Sequence, residues 1–478
     1  MKPHSPVCLF FVWMVSLGLL EARTWTQAAT KKAIDAEFVR VVGDKVELQL
    51  SDGRKAQVPI ASLVAEDQLF IRDQQVNESS LAGADWPQWR GPNQDDFSPD
   101  TELLSTWPST GPEKAWTYKD AGMGYSGYSI AGGKLYTLGS RGDDLVVIAL
   151  NAESGVELWS AVLARDDQSG YSTGWGHGPR STPTYSDDHL YILGPKGGLF
   201  CVSAEDGKKV WEKNLVSDYG GKAGGWGFSE SPLVDGEKVV IAPGGGPSAI
   251  VALDKKSGSE IWKTSIDGAG KAEYATVVKA EINERQQYVK LFQSFVVGVD
   301  AASGELIWRS EWPGKTAVIP TPIVDGNFVY VTSGYGVGSK LFEVKGGTTE
   351  DIWMSKDMKN HHGGVVKSGD YLYGFSDGGG LVCQSWKSGD LVWNEKDQYL
   401  LKGSVHAADG KLICLNESDG MVSLVAINPK AFELLGQFSL DPLSENRSPK
   451  GKIWTHPVVV NGKLYLRDQE FISCYLVK

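Results

Sequence analysis

One short pattern recurs along this chain and constrains its fold more than any other feature. It consists of an apolar residue, a small polar turn that ends in Gly, and a Trp four residues after that Gly. The copies are Ala149–Trp159, Val202–Trp211, Leu253–Trp262 and Val299–Trp308, with looser versions at Val344–Trp353 and Ser385–Trp393. Successive Trp residues lie 52, 51, 46, 45 and 40 positions apart. Repeats of roughly 40–50 residues, each with strands around a Gly turn, predict a β-propeller.

The chemistry of the pattern explains why it suits a blade of a propeller. A hairpin turn needs a residue with positive φ, which Gly adopts without steric cost. Asn, Asp and Ser before the Gly favour the same turn by bonding to their own main chain. The Trp begins the outer strand, where it can insert between neighbouring sheets and bury a large apolar area.

Eight inner hairpin turns can be counted after residue 114, which predicts eight blades. They fall at Gly132-Gly133, Asp187-Asp188, Asp235-Gly236, Asn283-Glu284, Asp325-Gly326, Gly369-Asp370, Asp409-Gly410 and Asn461-Gly462. The eighth blade lacks an outer Trp strand because the sequence ends at Lys478, whereas Lys114–Tyr118 reads as an outer strand with no blade before it. We therefore predict that this segment completes the eighth blade and closes the ring over residues 114–478, leaving no free sheet edge.

Charge and the first residues bear on compartment and partners. The net charge of −12 argues against nucleic acid as a partner, because phosphate backbones require basic surfaces. Residues 1–22 combine Lys2, an apolar run from Val7 to Leu20, and a small residue at Ala22, which is typical of a signal peptide. We expect an exported monomer, periplasmic or extracellular, that meets a membrane only through this signal; an uncleaved anchor is the alternative.

Cysteine usage gives no sign of metal or redox chemistry. The chain has no adjacent Cys pair and no C-x-x-C motif. Each Cys after the signal lies in an apolar run of a different repeat, so we expect buried free thiols and no metal site. These residues are Cys201, Cys383, Cys414 and Cys474.

Residues 23–72 read as a small separate β unit. Three strands are separated by Gly43-Asp44 and Asp52-Gly53, and a short helical segment closes the unit. The residues R-T-W-T from Arg23, A-E-F-V from Ala36 and the ending L-V-A-E-D-Q resemble the Sla homology domain. That resemblance implies an SH3-like barrel that binds peptides, and a spacer docked on the propeller is the alternative.

Residues 73–113 join the two units. A polar linker is followed by D-W-P-Q-W-R-G-P-N-Q-D-D-F-S-P from Asp85 to Pro99. Its prolines exclude a regular element, and its two Trp residues predict extended, clamp-like packing on the larger body rather than a ligand site.

Loops that open on one face of the ring predict a ligand site at the mouth of the channel. Many His, Trp and charged residues fall beside Gly in the loops that lead into inner strands or lie in mid-blade. Gly permits close approach of the backbone to a ligand, and Trp offers a stacking surface. A polar, water-filled mouth is the alternative interpretation. The candidate residues are Trp175, His177, Arg180, Trp226, Glu230, Tyr335, His361, His362, Lys402 and His456.

The repeat A-L-[DN]-x-x-[ST]-G-x-x-x-W, together with W-P-Q-W-R-G-P-N at Trp86–Asn93, resembles the pyrroloquinoline quinone (PQQ) type of propeller and, within it, secreted BamB-like proteins. The resemblance implies a quinoprotein alcohol dehydrogenase-like fold. Quinoprotein dehydrogenases hold PQQ with a vicinal disulfide and calcium ligands, and the present sequence has no Cys-Cys pair. We therefore expect a non-catalytic binding or scaffold protein for protein, peptide or glycan ligands, with no cofactor and no assigned catalytic residue. A PQQ- and calcium-dependent oxidoreductase is the alternative.

Overall fold

The computed structural model describes residues 23–42, 45–64, 67–68 and 85–478. The predicted signal peptide, the Gly43-Asp44 turn and most of the predicted linker lie outside these residues. The chain divides into two compact units, Met1–Gly83 and Ala84–Lys478. Within the described residues, none of the helices has the length and apolar character needed to cross a bilayer.

The first unit is a small antiparallel sheet with its own core. Its strands pair in the order β1-β2-β3-β4. The Trp25 side chain is 1% exposed, packs with Val46, Leu48 and Leu63, and donates its indole N–H to the Ala36 carbonyl at 2.9 Å. The predicted three strands and SH3-like class are confirmed, with β1 as an added strand. The bounds are β1 Arg23–Thr26, β2 Ala33–Val42, β3 Lys45–Leu50, β4 Lys55–Pro59 and a 3-10 turn at Ile60–Ser62.

The second unit is an eight-bladed β-propeller, as predicted. Each blade is an antiparallel sheet of four strands, and the seventh carries a fifth strand on its inner side. Two strands precede the first complete blade, β5 Phe97–Ser98 and β6 Glu113–Tyr118. Blade one consists of β7 Ser129–Ala131, β8 Lys134–Arg141, β9 Asp144–Asn151 and β10 Glu157–Arg165. Blade two consists of β11 Thr184–Ser186, β12 His189–Leu193, β13 Gly198–Ser203 and β14 Lys209–Asn214. Blade three consists of β15 Leu233–Asp235, β16 Lys238–Ile241, β17 Ile250–Asp254 and β18 Glu260–Thr264.

The remaining blades repeat the same order, from the inner strand outward. Blades four to six are β19 Val278–Ile282, β20 Arg285–Leu291, β21 Phe295–Asp300, β22 Leu306–Glu311; β23 Ile323–Asp325, β24 Phe328–Ser333, β25 Gly338–Lys345, β26 Thr348–Ser355; and β27 Val365–Ser368, β28 Tyr371–Ser376, β29 Gly380–Ser385, β30 Leu391–Glu395. Blades seven and eight are β31 Gly403–Ala408, β32 Lys411–Asn416, β33 Met421–Ala426, β34 Leu434–Ser439; and β35 Val458–Val460, β36 Lys463–Asp468, β37 Phe471–Leu476, completed by β6. Short helical turns follow β14 at Leu215–Tyr219 and precede β31 at Gln398–Leu400.

The ring closes through β6, the outer strand that precedes the first complete blade in the sequence. Strand β6 pairs antiparallel with β37, and Trp116 lies opposite Cys474. Across the same junction, the guanidinium of Arg467 in β36 is 1% exposed and donates to main-chain carbonyls of blade one and the loop before it, including Leu138 at 2.7 Å and Ser126 at 3.2 Å. The predicted closure is therefore confirmed, and the two ends of the propeller share one sheet.

The hydrophobic core lies between blades rather than inside any one of them. Each of the eight interfaces between neighbouring blades holds one buried apolar cluster, because the two faces of every sheet must be covered by its neighbours. At the junction of blades eight and one, Val460 and Tyr465 pack with Leu135 and Ile148. The four cysteines named above are free and buried in these layers.

Residues 86–98, here called the plug segment, lie across the channel. The main chain of Trp86 exchanges two hydrogen bonds with Ile130 in blade one, at 2.7 and 2.8 Å. Pro87 accepts from Tyr185 of blade two at 2.7 Å, and β5 pairs in parallel with β31 of blade seven. Side chains of the segment also reach blades four, five, six and eight. Because these partners surround the ring axis, the extended segment predicted to pack on the larger body fills the channel.

Candidate functional site

A cavity of about 600 Å³ opens at the face where the loops into the inner strands meet. Every blade contributes at least one lining residue, and the plug segment contributes Trp89 and Arg90. The lining is rich in aromatic side chains, which give it flat apolar surfaces of the kind that small-molecule sites use. The aromatic residues are Trp89, Tyr125, Trp175, Trp226, Tyr274, Tyr335 and Trp454.

The structure brings most of the candidate residues to this cavity. They come from different blades, because each loop delivers one or two side chains to the common mouth. The candidates that line the cavity are Trp175, Arg180, Trp226, Tyr335, His361, His362, Lys402 and His456. The other two, Glu230 and His177, lie elsewhere.

Glu230 is a structural residue between blades three and four. It is 1% exposed and forms a fully buried ion pair with Lys290 at 3.0 Å. Its carboxylate also accepts hydrogen bonds from the main-chain N–H groups of Ala242 and Val277, at 3.2 and 3.1 Å. The expectation that Glu230 faces the ligand was wrong, because a carboxylate in a mouth loop can serve the interface below it equally well.

His177 belongs to the right loop but does not line the cavity. Its neighbours Gly176 and Gly178 have φ values of 107° and 93°, and a Cβ at Gly178 would lie 2.4 Å from the Met123 carbonyl oxygen. The loop therefore lies tightly against the loop of blade one, which leaves Trp175 and Arg180 on the cavity and the His177 ring off it. Burial lowers the pKa of His177. The structure therefore does not bring His177 to the cavity, where the sequence analysis expected it.

A chain of hydrogen bonds fixes His361 in one neutral form. Its Nδ1 lies 2.7 Å from the Lys402 ammonium, which can only donate, so Nδ1 accepts and Nε2 carries the proton. Nε2 lies 2.8 Å from the Tyr335 hydroxyl oxygen, and Lys402 also pairs with Asp377 at 2.9 Å. Burial, together with the nearby His362 and Lys402, lowers the pKa of His361 to about 4. The Tyr335 oxygen accepts from His361, which leaves the hydroxyl hydrogen of Tyr335 available to a ligand.

A second polar group surrounds Glu417, which the sequence analysis did not single out. Its Oε2 accepts from the Trp454 indole N–H at 2.9 Å and lies 3.1 Å from Nε2 of His362. Burial alone would raise the pKa of Glu417, but the adjacent His362 and the hydrogen bond from Trp454 lower it to about 2. Burial lowers the pKa of His362, so at neutral pH a neutral imidazole faces a charged carboxylate.

Arg180 is held at this site by neutral groups rather than by a carboxylate. Its guanidinium lies over the Tyr125 ring at 5.1 Å and donates to the carbonyls of Gly176 at 3.0 Å, Gly178 at 3.3 Å and Trp226 at 3.3 Å. Among the residues that the structure describes, no carboxylate lies within 4 Å of it. Although Arg180 is only half-buried, burial lowers its pKa.

The floor of the cavity comes from the plug segment, to which the sequence analysis gave only a packing role. Trp89 meets His456 edge to face at 4.7 Å and donates to Thr321 Oγ1 at 3.1 Å. Arg90 is 2% exposed, pairs with Asp96 at 3.5 Å and donates to the Val365 carbonyl at 2.8 Å. The sequence signal for this second role was the density of Trp, Arg and Gly in a Pro-rich stretch.

The donor set does not match a calcium-held quinone. Over the described ranges, no group of three His, Cys, Asp or Glu side chains is placed to hold a metal ion. Glu417 lines the cavity 3.1 Å from His362, and Asp377 pairs with the lining residue Lys402. We therefore assign no reaction step to such a group.

The comparisons with known proteins agree with this architecture. In its fold the second unit resembles quinohemoprotein alcohol dehydrogenase from Comamonas testosteroni, with a TM-score of 0.54 and 14% identity over 82% of this chain and 80% of that chain. It also resembles the computationally designed Ika8 protein, with a TM-score of 0.53 and 10% identity over 76% of this chain and 100% of that one. The class defined by the fold is thus a closed eight-bladed β-propeller.

Sequence similarity identifies the family more narrowly. The chain belongs to the family described as outer membrane protein assembly factor BamB, whose model matches residues 143–395. The factor of that name from Salmonella typhimurium is 23% identical over 343 residues, covering 60% of this chain and 82% of that protein. Residues 19–79 match the model of SLA1 homology domain 1, which confirms the predicted N-terminal domain.

Proposed function

We propose that this chain is an exported, non-catalytic binding protein that captures its ligand in the aromatic cavity at the propeller mouth. The observation that carries the proposal is the cavity itself, because loops from all eight blades converge on it and the plug segment closes it below. Such a site would bind by shape and by contact with its aromatic rings. Recognition of protein, peptide or glycan ligands fits this surface.

Family membership supports a scaffold role alongside capture. The relatives are named as assembly factors for outer membrane proteins. A propeller joined to an SLA1 homology domain that would bind peptides suits an exported protein that holds partners together. The partner would be a protein, and the cavity would read a short segment or a glycan of it.

The test is a binding screen of the full chain on immobilised peptides and saccharides. Trp175→Ala and Tyr335→Ala remove exposed aromatic surface from the cavity and should abolish most of the signal. Met354→Ala is the control, because Met354 is also exposed, at 56%, but lies on the outer strand β26. Equal binding by all four proteins would rule out the cavity as the ligand site.

A quinone-dependent oxidoreductase is the second candidate, favoured by the structural likeness to an alcohol dehydrogenase. It is tested by titrating the purified chain with PQQ and Ca²⁺ while following absorbance and the melting temperature. A saturable spectral change with a raised melting temperature would favour the oxidoreductase over the scaffold.

A further inference from the structure

Several polar groups of the cavity can still donate a hydrogen bond. A guanidinium has five N–H groups, and Arg180 uses three of them on carbonyl oxygens, so two remain without a partner among the described residues. The Tyr335 hydroxyl accepts from His361 and can donate its own hydrogen. Lys452 lines the cavity and bonds only to Ser418 Oγ, at 3.3 Å. A ligand that satisfies this set must bring acceptor oxygens.

The charge at Arg180 indicates that the acceptor is an anion. Buried charges in proteins are normally paired, because an uncompensated one costs several kcal/mol. Arg90 and Lys402 in the same cavity pair with Asp96 and Asp377, whereas the half-buried Arg180 lies over the Tyr125 ring and has no carboxylate within 4 Å among the described residues. The planar guanidinium fork matches a carboxylate better than any other side chain does. A carboxylate of the ligand would complete the pairing that the protein leaves open.

One acceptor and two neighbouring aromatic rings define the rest of the ligand. Glu417 is charged, and its Oε1 has no partner in the described part of the chain, so it can accept a hydroxyl group. Between Arg180 and Glu417 lie Tyr125 and Trp454, whose rings are 5.0 Å apart. A carboxylate, a ring with an apolar face and a free hydroxyl are the three groups of a uronate sugar.

We infer that the cavity binds the end of a short acidic oligosaccharide, with a uronate carboxylate on Arg180, a sugar ring against Tyr125 and Trp454, and a hydroxyl on Glu417. The inference rests on the proposed function and specifies the chemistry of its ligand. A peptide is the less suitable occupant, because extended peptides are recognised through free strand edges and the described inner strands are paired or covered by the plug segment.

The experiment is calorimetric titration of the full chain with digalacturonate and with its carboxyl-reduced counterpart, galactobiose. The affinity for the acidic sugar should be at least about tenfold higher than the affinity for the neutral one, because only the acid makes charge-assisted hydrogen bonds. Arg180→Gln should remove that preference. Arg309→Gln is the matched control, since Arg309 also stacks on a ring, that of Phe295 at 3.8 Å, and donates to a carbonyl, but does not line the cavity.

A second variant guards against misfolding of Arg180→Gln. Tyr335→Phe keeps the ring and removes only the hydroxyl, so it should weaken digalacturonate binding severalfold with an unchanged melting temperature. Equal binding of both sugars, unchanged affinity in both variants, or no binding of digalacturonate would overturn the inference. A short peptide with a free C-terminal carboxylate that binds better than digalacturonate would overturn it too, while leaving cavity-based capture intact. Loss of the proposed function differs from all of these, because the Trp175 and Tyr335 alanine variants would then bind the arrays like wild type.

Discussion

The indole of Trp116, on strand β6 of blade eight, covers Gly155 of blade one so closely that a Cβ on the glycine would lie 2.5 Å from the ring. The same relation holds between Trp159 and Gly207 and between Trp211 and Gly258. The Gly and the Trp of one repeat therefore do not contact each other, and each contacts a residue of a different neighbouring blade. In five copies the Gly lies against the Trp of the preceding blade, so the repeat that is read along the chain is a contact between neighbouring blades; these glycines are Gly155, Gly207, Gly258, Gly304 and Gly389.

Gly155→Ala should destabilise the propeller by more than its backbone conformation alone explains. The φ of 70° costs about 1–2 kcal/mol for any residue with a Cβ, and displacing the Trp116 ring should add about 1–3 kcal/mol. Chemical denaturation followed by Trp fluorescence measures the sum. Gly142→Ala is the control, because Gly142 has a φ of 60° and open space around its Cβ position; equal losses in the two variants would exclude the ring contact as a cause.

Arg467→Met should weaken ring closure strongly. The guanidinium is buried and bonds to five carbonyls and the Thr137 hydroxyl, so its removal leaves several acceptors unpaired. We expect a loss of about 3 kcal/mol or more in the free energy of unfolding. Lys463→Met is the matched control on the same strand, since its ion pair with the exposed Glu153 should contribute at most about 1 kcal/mol. Similar losses would mean that Arg467 does not hold the junction.

Stability should fall as pH decreases from about 6.5 to about 4, in part because of His361. The pKa of His361 is about 4 in the folded chain and 6.5 in the unfolded chain. Between these values the unfolded chain binds a proton that the folded chain does not, so the free energy of unfolding decreases as the pH falls. His361→Gln removes that group, and its melting temperature should approach or exceed that of wild type as the pH drops. Measurement at pH 7.5, where both forms are neutral, gives the baseline; a difference between the two proteins that stays constant down to pH 4 would contradict the assignment.

His177→Ala should leave ligand capture unchanged, whereas Trp175→Ala should reduce it. The two residues are neighbours in one loop, but only Trp175 lines the cavity. Affinity for whichever ligand the screen identifies is the readout, with the melting temperature as a check on folding. A loss in His177→Ala equal to that in Trp175→Ala would show that the loop is rearranged when ligand binds.

The sequence alone determined the ring. Local turn chemistry at Asn461-Gly462 or Asp187-Asp188, where all four residues have positive φ, marks each hairpin, and the spacing of Gly and Trp marks each blade. It also revealed that Lys114–Tyr118 lacked a blade and the last blade lacked a strand. These features are local or periodic, so they can be recognised from the sequence alone.

Only the tertiary structure decided which mouth residues face the cavity. Nothing in the local sequence tells that Trp175 lines the cavity and His177 does not, or that Glu417 lines it and Glu230 does not. The role of Glu230 depends on Lys290, which a neighbouring blade supplies as its partner. The plug segment is the same case, because nothing within residues 86–98 indicates the hole that they fill. Side-chain direction and the filling of a channel arise from contacts between segments hundreds of residues apart, and such contacts exist only after the ring has closed.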